Sequence, residues 1–223
     1  MLINADFSRR AVVAADQYSW VASPQVGVER VMLDRVGAEK ARSTSIVRYA
    51  PGSHFPAHEH PGGEEILVLS GTFSENGRHY PAGWYLRNPP GSSHQPSSAE
   101  GAVIFVKLRQ MRPGEQCATR IDTSAASAWT VRDDREVCPL YADKAEQVCL
   151  QRLAPNQALF TTPLVGAELL VLTGSIVMDG DSYDRGSWIR LPAGAYRGIV
   201  AGPGGVTFYL KTGRLGEMPT ETR

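Results

Sequence analysis

The 223-residue chain carries 23 basic and 23 acidic residues, and 42% of it is hydrophobic. A net charge of zero removes the general electrostatic pull toward nucleic acid, and no apolar run approaches the roughly 20 residues that a membrane helix needs. The opening Met1-Leu2-Ile3-Asn4-Ala5-Asp6 has neither a basic start nor an apolar core, so it does not read as a signal peptide; the expected compartment is the cytoplasm.

Twenty-two glycines and fifteen prolines interrupt short β-branched and aromatic runs, which is the punctuation of an all-β barrel or sandwich. The first predicted strands are Val28 to Leu33 and Thr44 to Tyr49. The densest chemistry follows: all five histidines, His54, His58, His60, His79 and His94, lie between positions 54 and 94. His58 and His60 are two residues apart, so on an extended segment both imidazoles face one side. Glu64 opens the apolar strand Glu65 to Leu69. After the predicted strand Gly83 to Arg87, His94 follows a Pro89-Pro90-Gly91 turn. Each can therefore approach the histidine pair from a neighbouring strand of a curled sheet. Three imidazole nitrogens and one carboxylate oxygen suit a single divalent transition metal such as zinc, iron, nickel or manganese. Magnesium and calcium, which favour all-oxygen shells, fit poorly. His54 lies outside this spacing, and His79 sits in the turn-like Asn76-Gly77-Arg78-His79, where solvent is the expected neighbour. Tyr49, Phe55, Glu59, Phe73 and Trp84 are candidate pocket neighbours, but no nucleophile, base or substrate clamp announces itself.

The order Gly52, His58, His60, Glu64, Gly71, then Gly83, Pro89 and His94, resembles the two sequence motifs of the cupin superfamily. Within it, the runs His58-Glu59-His60-Pro61-Gly62-Gly63-Glu64-Glu65, Tyr80-Pro81-Ala82-Gly83 and Arg87-Asn88-Pro89-Pro90-Gly91-Ser92-Ser93-His94 are similar to the cupin domain of ChrR-type anti-sigma factors. Ser98 departs from the general second motif, which often has asparagine there. The resemblance covers residues 10 to 110 best and implies a zinc-binding barrel, a double-stranded β-helix, with a regulatory or sensing role. It also implies a separate N-terminal module that grips a sigma factor through its own His/Cys zinc site. Only about ten residues precede the first strand-like segment, and Cys117, Cys138 and Cys149 form no Cys-x-x-Cys, so sigma-factor binding is not expected from the resemblance by itself. The three cysteines are expected to be ordinary thiols. An iron-, manganese- or nickel-dependent dioxygenase or isomerase is the competing expectation, because the same four ligands leave positions for water, dioxygen or a chelating small molecule.

After the predicted strand Ala102 to Leu108, a stretch with Pro113-Gly114 and small polar residues reads as a linker over 111–127. Beyond it the chain repeats itself with an offset of 103 residues: Glu65-Ile66-Leu67-Val68-Leu69-Ser70-Gly71 returns as Glu168-Leu169-Leu170-Val171-Leu172-Thr173-Gly174. Gly83, Arg87, Pro89 and Gly91 return as Gly186, Arg190, Pro192 and Gly194. Two tandem barrels are expected, a metal-binding cupin domain over 1–110 and a second cupin domain over 128–223. In the second copy Thr161, Pro163, Ala167 and Arg197 stand where His58, His60, Glu64 and His94 stand in the first, so that barrel is expected to be metal-free and structural. Glu65 and Arg87 recur in the copy that has lost every ligand, which predicts bracing contacts Glu65/Arg87 and Glu168/Arg190 and leaves Glu64 as the ligand. A homodimer through exposed strands is the expected assembly.

Overall fold

A computed structural model describes residues 1–38 and 40–216 of the chain. Every regular element it contains is a strand, apart from single 3-10 turns at Ala15–Gln17 and Ala126–Ala128. The predicted strands appear with extended bounds. Val28 to Leu33 lies in Val28–Val36, Thr44 to Tyr49 in Arg42–Tyr49 and Glu65 to Leu69 in Glu64–Glu75; Trp84–Asn88 and Ala102–Leu108 complete the set. All pairings are antiparallel.

The chain divides into two compact units. Among the described residues, one comprises Met1–Ala5 and Ser19–Ser124; the other comprises Asp6–Tyr18 and 125–216. In the first unit the main sheet runs Leu2–Ile3, Val28–Val36, Arg42–Tyr49, Ala102–Leu108, Glu64–Glu75, Trp84–Asn88, Thr119–Asp122, and a small sheet joins His58–His60 to Ser92–His94. The second unit repeats the order with Arg135–Ala142, Glu146–Leu153, Val200–Gly213, Ala167–Met178, Trp188–Leu191 and Ala11–Val13. The sequence repeat is therefore a repeat of topology.

Two pieces depart from the contiguous split. Thr119–Asp122, in the stretch expected to be a linker, is a strand that pairs with Trp84–Asn88 of the first unit. Ala11–Val13, from the expected first domain, pairs with Trp188–Leu191 of the second. Each unit thus closes its sheet with a strand that comes before the other repeat in sequence. Three or four residues of ladder carry too weak a periodicity to stand out among turn residues, and a short edge strand gains its stability from the partner it finds.

Each unit has its own apolar core. Ile66, Val68, Phe73, Leu86, Ile104 and Val106 fill the first, and Leu169, Val171, Ile176, Ile189, Phe208 and Leu210 are among those that fill the second. Gly71 explains one repeated glycine: its φ is +67°, and an added Cβ would lie 2.0 Å from the carbonyl oxygen of Gly101. Gly174 meets the oxygen of Gly205 in the same way, at 2.1 Å with φ +69°. Only a residue without a side chain allows these strands to cross so closely.

Candidate metal centre

The His-Glu-His segment is extended, as the spacing predicts, and pairs antiparallel with Ser92–His94 so that His58 faces His94 and His60 faces Ser92. The turn between them is held by the His60 carbonyl, which accepts from the Gly63 and Gly91 amides at 3.0 Å each. Period-two alternation sends His58 and His60 inward and leaves Glu59 exposed. The same alternation separates the adjacent acids: Glu64 turns to the histidines, while Glu65 turns to the opposite face and pairs with Arg87 at 3.1 Å. Glu168 and Arg190 face one another at the equivalent register. Glu168 also accepts from the Trp188 indole at 2.8 Å, and Arg190 lies 3.9 Å over the Phe7 ring.

His58, His60 and His94 each offer a ring nitrogen, and these atoms lie within 4.8 Å of one another. Nε2 of His60 is 2.8 Å from Nε2 of His94, and Oε2 of Glu64 is 3.5 Å from both. Two ligand atoms about 2.0–2.1 Å from a tetrahedral ion are about 3.3 Å apart. The two Glu64 distances thus match that spacing, and the two imidazoles would have to open by about half an ångström. His60, Glu64 and His94 are buried, and His58 is partly exposed. The four residues fit a divalent transition metal in donor type and in spacing.

The far nitrogens of His58 and His94 are committed elsewhere, which leaves their inner ones available. His58 donates from Nδ1 to the Pro56 carbonyl at 3.0 Å. His94 donates from Nδ1 to Oε2 of Glu75 at 2.6 Å. A carboxylate and a carbonyl only accept, so both rings carry their proton on Nδ1 and turn the Nε2 lone pair inward. Burial, reinforced by His94 and His58, holds His60 down to about 3. Against burial, the Glu75 hydrogen bond and the charges of Glu64 and Glu75 raise His94 above its ordinary value. Burial pushes Glu64 up to about 6, despite His94 and the Asn88 hydrogen bond. Glu75 behaves oppositely: burial is outweighed by its hydrogen bond with His94 and the Arg120 charge, which keep it below the usual carboxylate value.

Three of these partners carried no sequence signal. Glu75 is at the far end of the Glu64–Glu75 strand, Asn88 is buried opposite Glu64, and Arg120 comes from the strand read as linker. Asn88 donates to Oε2 of Glu64 at 3.1 Å and to Oε2 of Glu75 at 3.4 Å. Of the expected pocket neighbours, Phe55 lies 5.9 Å from His58 and Phe73 lies 6.3 Å from His94, ring to ring, and Tyr49 packs between those two phenylalanines at 5.8 and 5.9 Å. Trp84 instead meets Tyr80 edge-on, at 5.4 Å, and packs against the apolar core. His54 and His79 are exposed and outside the group, His79 bonding to Ser74. Ser98 is buried and donates to the Thr72 carbonyl at 2.7 Å. In the second unit Thr161, Pro163 and Arg197 are exposed, and Ala167 lies in the apolar core.

Residues 8–112, which include all four converging side chains, match the family model of the ChrR cupin-like domain. This segment is a ChrR cupin-like domain. The fold likeness extends over both units of the chain. A candidate dioxygenase from Nostoc punctiforme superposes with a TM-score of 0.74 at 14% identity, over 96% of this chain and 85% of that one. The bacterial pirin YhhW of Escherichia coli, solved in complex with nickel(II), gives 0.65 at 12% identity, over 92% and 98%. A cupin 2 conserved barrel domain protein from Leptotrichia buccalis gives 0.62 at 10%, over 96% and 100%. At such identities the likeness establishes the double-barrel fold and not the chemistry. No curated protein sequence matches this chain.

Proposed function

We propose that this cupin binds one divalent transition metal, zinc, through His58, His60, Glu64 and His94, and that the first barrel serves a sensing, regulatory or ligand-binding role. The observation that carries the reading is the convergence of three imidazoles and one carboxylate, with His58 and His94 both presenting an unprotonated Nε2. Such a cluster without an ion would bury polar groups at a cost of several kcal/mol in aggregate. The bound ion would supply Lewis acidity and tie the small sheet to the Glu64–Glu75 strand. Elemental analysis of protein purified without added metal tests this. About one zinc per chain with no turnover supports it, and a chain that takes up no divalent ion overturns it.

One observation favours a second reading, a metal-dependent dioxygenase or isomerase. His58 is partly exposed and Phe55 lies beside it, so a small molecule could meet the ion from that side. Iron in the purified protein together with dioxygen uptake would select this reading over the first.

A further inference from the structure

We infer that Arg120 is a positioning residue of the metal centre, ordering His94 through Glu75 and Glu64 through Asn88; the inference rests on the four-ligand reading above. Its guanidinium makes five hydrogen bonds, one for each N–H it owns. Nε donates to the Tyr80 hydroxyl at 3.2 Å, and Nη1 donates to the carbonyls of Arg87 at 3.2 Å and Thr119 at 2.8 Å. Nη2 donates to Oδ1 of Asn88 at 2.6 Å and to Oε1 of Glu75. The first three bonds lock the plane of the fork; the last two act on the site.

With its oxygen held by Arg120, the Asn88 amide must point its nitrogen at the carboxylates, where it meets Glu64 at 3.1 Å. With one oxygen held by Arg120, Glu75 turns the other to the His94 Nδ1 proton at 2.6 Å. One cation therefore sets the tautomer of one ligand and the rotamer of another. Lysine, a point charge with three donors, cannot hold this pattern of acceptors.

The second barrel is an internal control. At the offset of 103 residues, Glu75 becomes Met178, Asn88 becomes Leu191 and Glu64 becomes Ala167. Arg120 lies opposite Leu86 in its ladder, and Val12 lies opposite Ile189, the counterpart of Leu86, so Val12 takes the place of Arg120. Met178, Leu191 and Ala167 are core residues and Val12 packs against them. Tyr80 and Arg87, by contrast, persist as Tyr183 and Arg190. The polar chain vanishes together with the ligands while Tyr183, Glu168 and Arg190 keep their places in the second barrel, so Arg120, Glu75 and Asn88 belong to the site and not to the scaffold.

The test compares wild type with Arg120→Val and Arg120→Lys. Nitrogen NMR of the imidazoles in metal-free protein reads the His94 tautomer, and competition with a chelator reads zinc affinity. We expect His94 to carry its proton on Nδ1 in wild type and to mix tautomers in both variants, with zinc affinity lowered about 10–100-fold. An unchanged tautomer and unchanged affinity in a folded variant, even one that melts earlier, would overturn the inference. If Arg120→Val does not fold, the triple variant Glu75→Met, Asn88→Leu, Arg120→Val reproduces the apolar set of the second barrel. It should fold and lose affinity with all four ligands in place, and wild-type affinity there would equally overturn the inference. Should wild type bind no zinc at all, the metal reading falls, and the tautomer comparison, made without metal, decides the role of Arg120 by itself.

Discussion

At the scale of single residues, one step along a strand separates chemistry from support. Glu64 and Glu65 are neighbours, yet pleating sends the first to the histidines and the second to Arg87. Glu65 and the Arg87 side chain are both buried, and Arg87 also pairs with Glu115, so Glu65→Ala removes one of its two carboxylates and should destabilise the protein by about 1–3 kcal/mol in denaturant unfolding. The same variant should keep its metal stoichiometry, whereas His60→Ala or His94→Ala should lose it and His54→Ala or His79→Ala should not; dialysis against zinc followed by elemental analysis separates them. Acid should also release the ion, because protons compete for the ligands. Glu64 titrates at about 6 and His94 is raised above its ordinary value, so both take up protons as pH falls through that range, while His60, held near 3, contributes nothing there. Affinity measured by chelator competition is therefore expected to decline first above the ordinary histidine range, as His94 takes up its proton, and more steeply below pH 6, where Glu64 follows, by about tenfold per unit for each proton bound. A constant affinity from pH 5 to 8 would contradict this assignment of ligands.

Among the elements, the short strand Thr119–Asp122 has the largest consequence for its size. It covers the edge of Trp84–Asn88, and it delivers Arg120 to the site. A fragment that stops at residue 110 leaves that edge unpaired, and unpaired edges seek other chains. We expect the fragment 19–110 to associate and melt early, and the fragment 19–124 to be better behaved; size-exclusion chromatography and thermal melting compare them. Equal behaviour would mean that the strand is dispensable to the first barrel. Ser92–His94 works differently: its single short ladder with His58–His60 fixes which imidazoles face each other, and a two-stranded sheet of this length owes its order to the side chains that converge beneath it.

For the whole molecule, the two units diverge in what fills them. The first gathers ionisable groups at one end of its barrel, and the second replaces the corresponding positions with Ala167, Met178 and Leu191 in an apolar core. Metal should therefore act on one unit. At a free zinc concentration 1,000 times the dissociation constant, mass action adds about 4.1 kcal/mol to the stability of the unit that binds it. Calorimetry with zinc and with chelator should show one transition moving and a second, assigned by Phe208→Ala, staying in place; movement of both would imply that the units unfold together.

Much of this was legible in the residues themselves. The histidine spacing, the repeat and its substitutions are local properties of a chain whose strands alternate with period two, so Glu64 could be told from Glu65 and the second copy's losses could be counted before any coordinates. Glu75, Asn88 and Arg120 could not be found that way. Arg120 and Glu75 are 45 positions apart, and what joins them is backbone pairing between strands, which any β-compatible residues can make and which leaves no spacing rule in the chain. Likewise, only the folded ladder decides that the stretch before each repeat closes the other unit's sheet. The donor set was written in residue type and interval; the order that holds it was decided by long-range strand pairing.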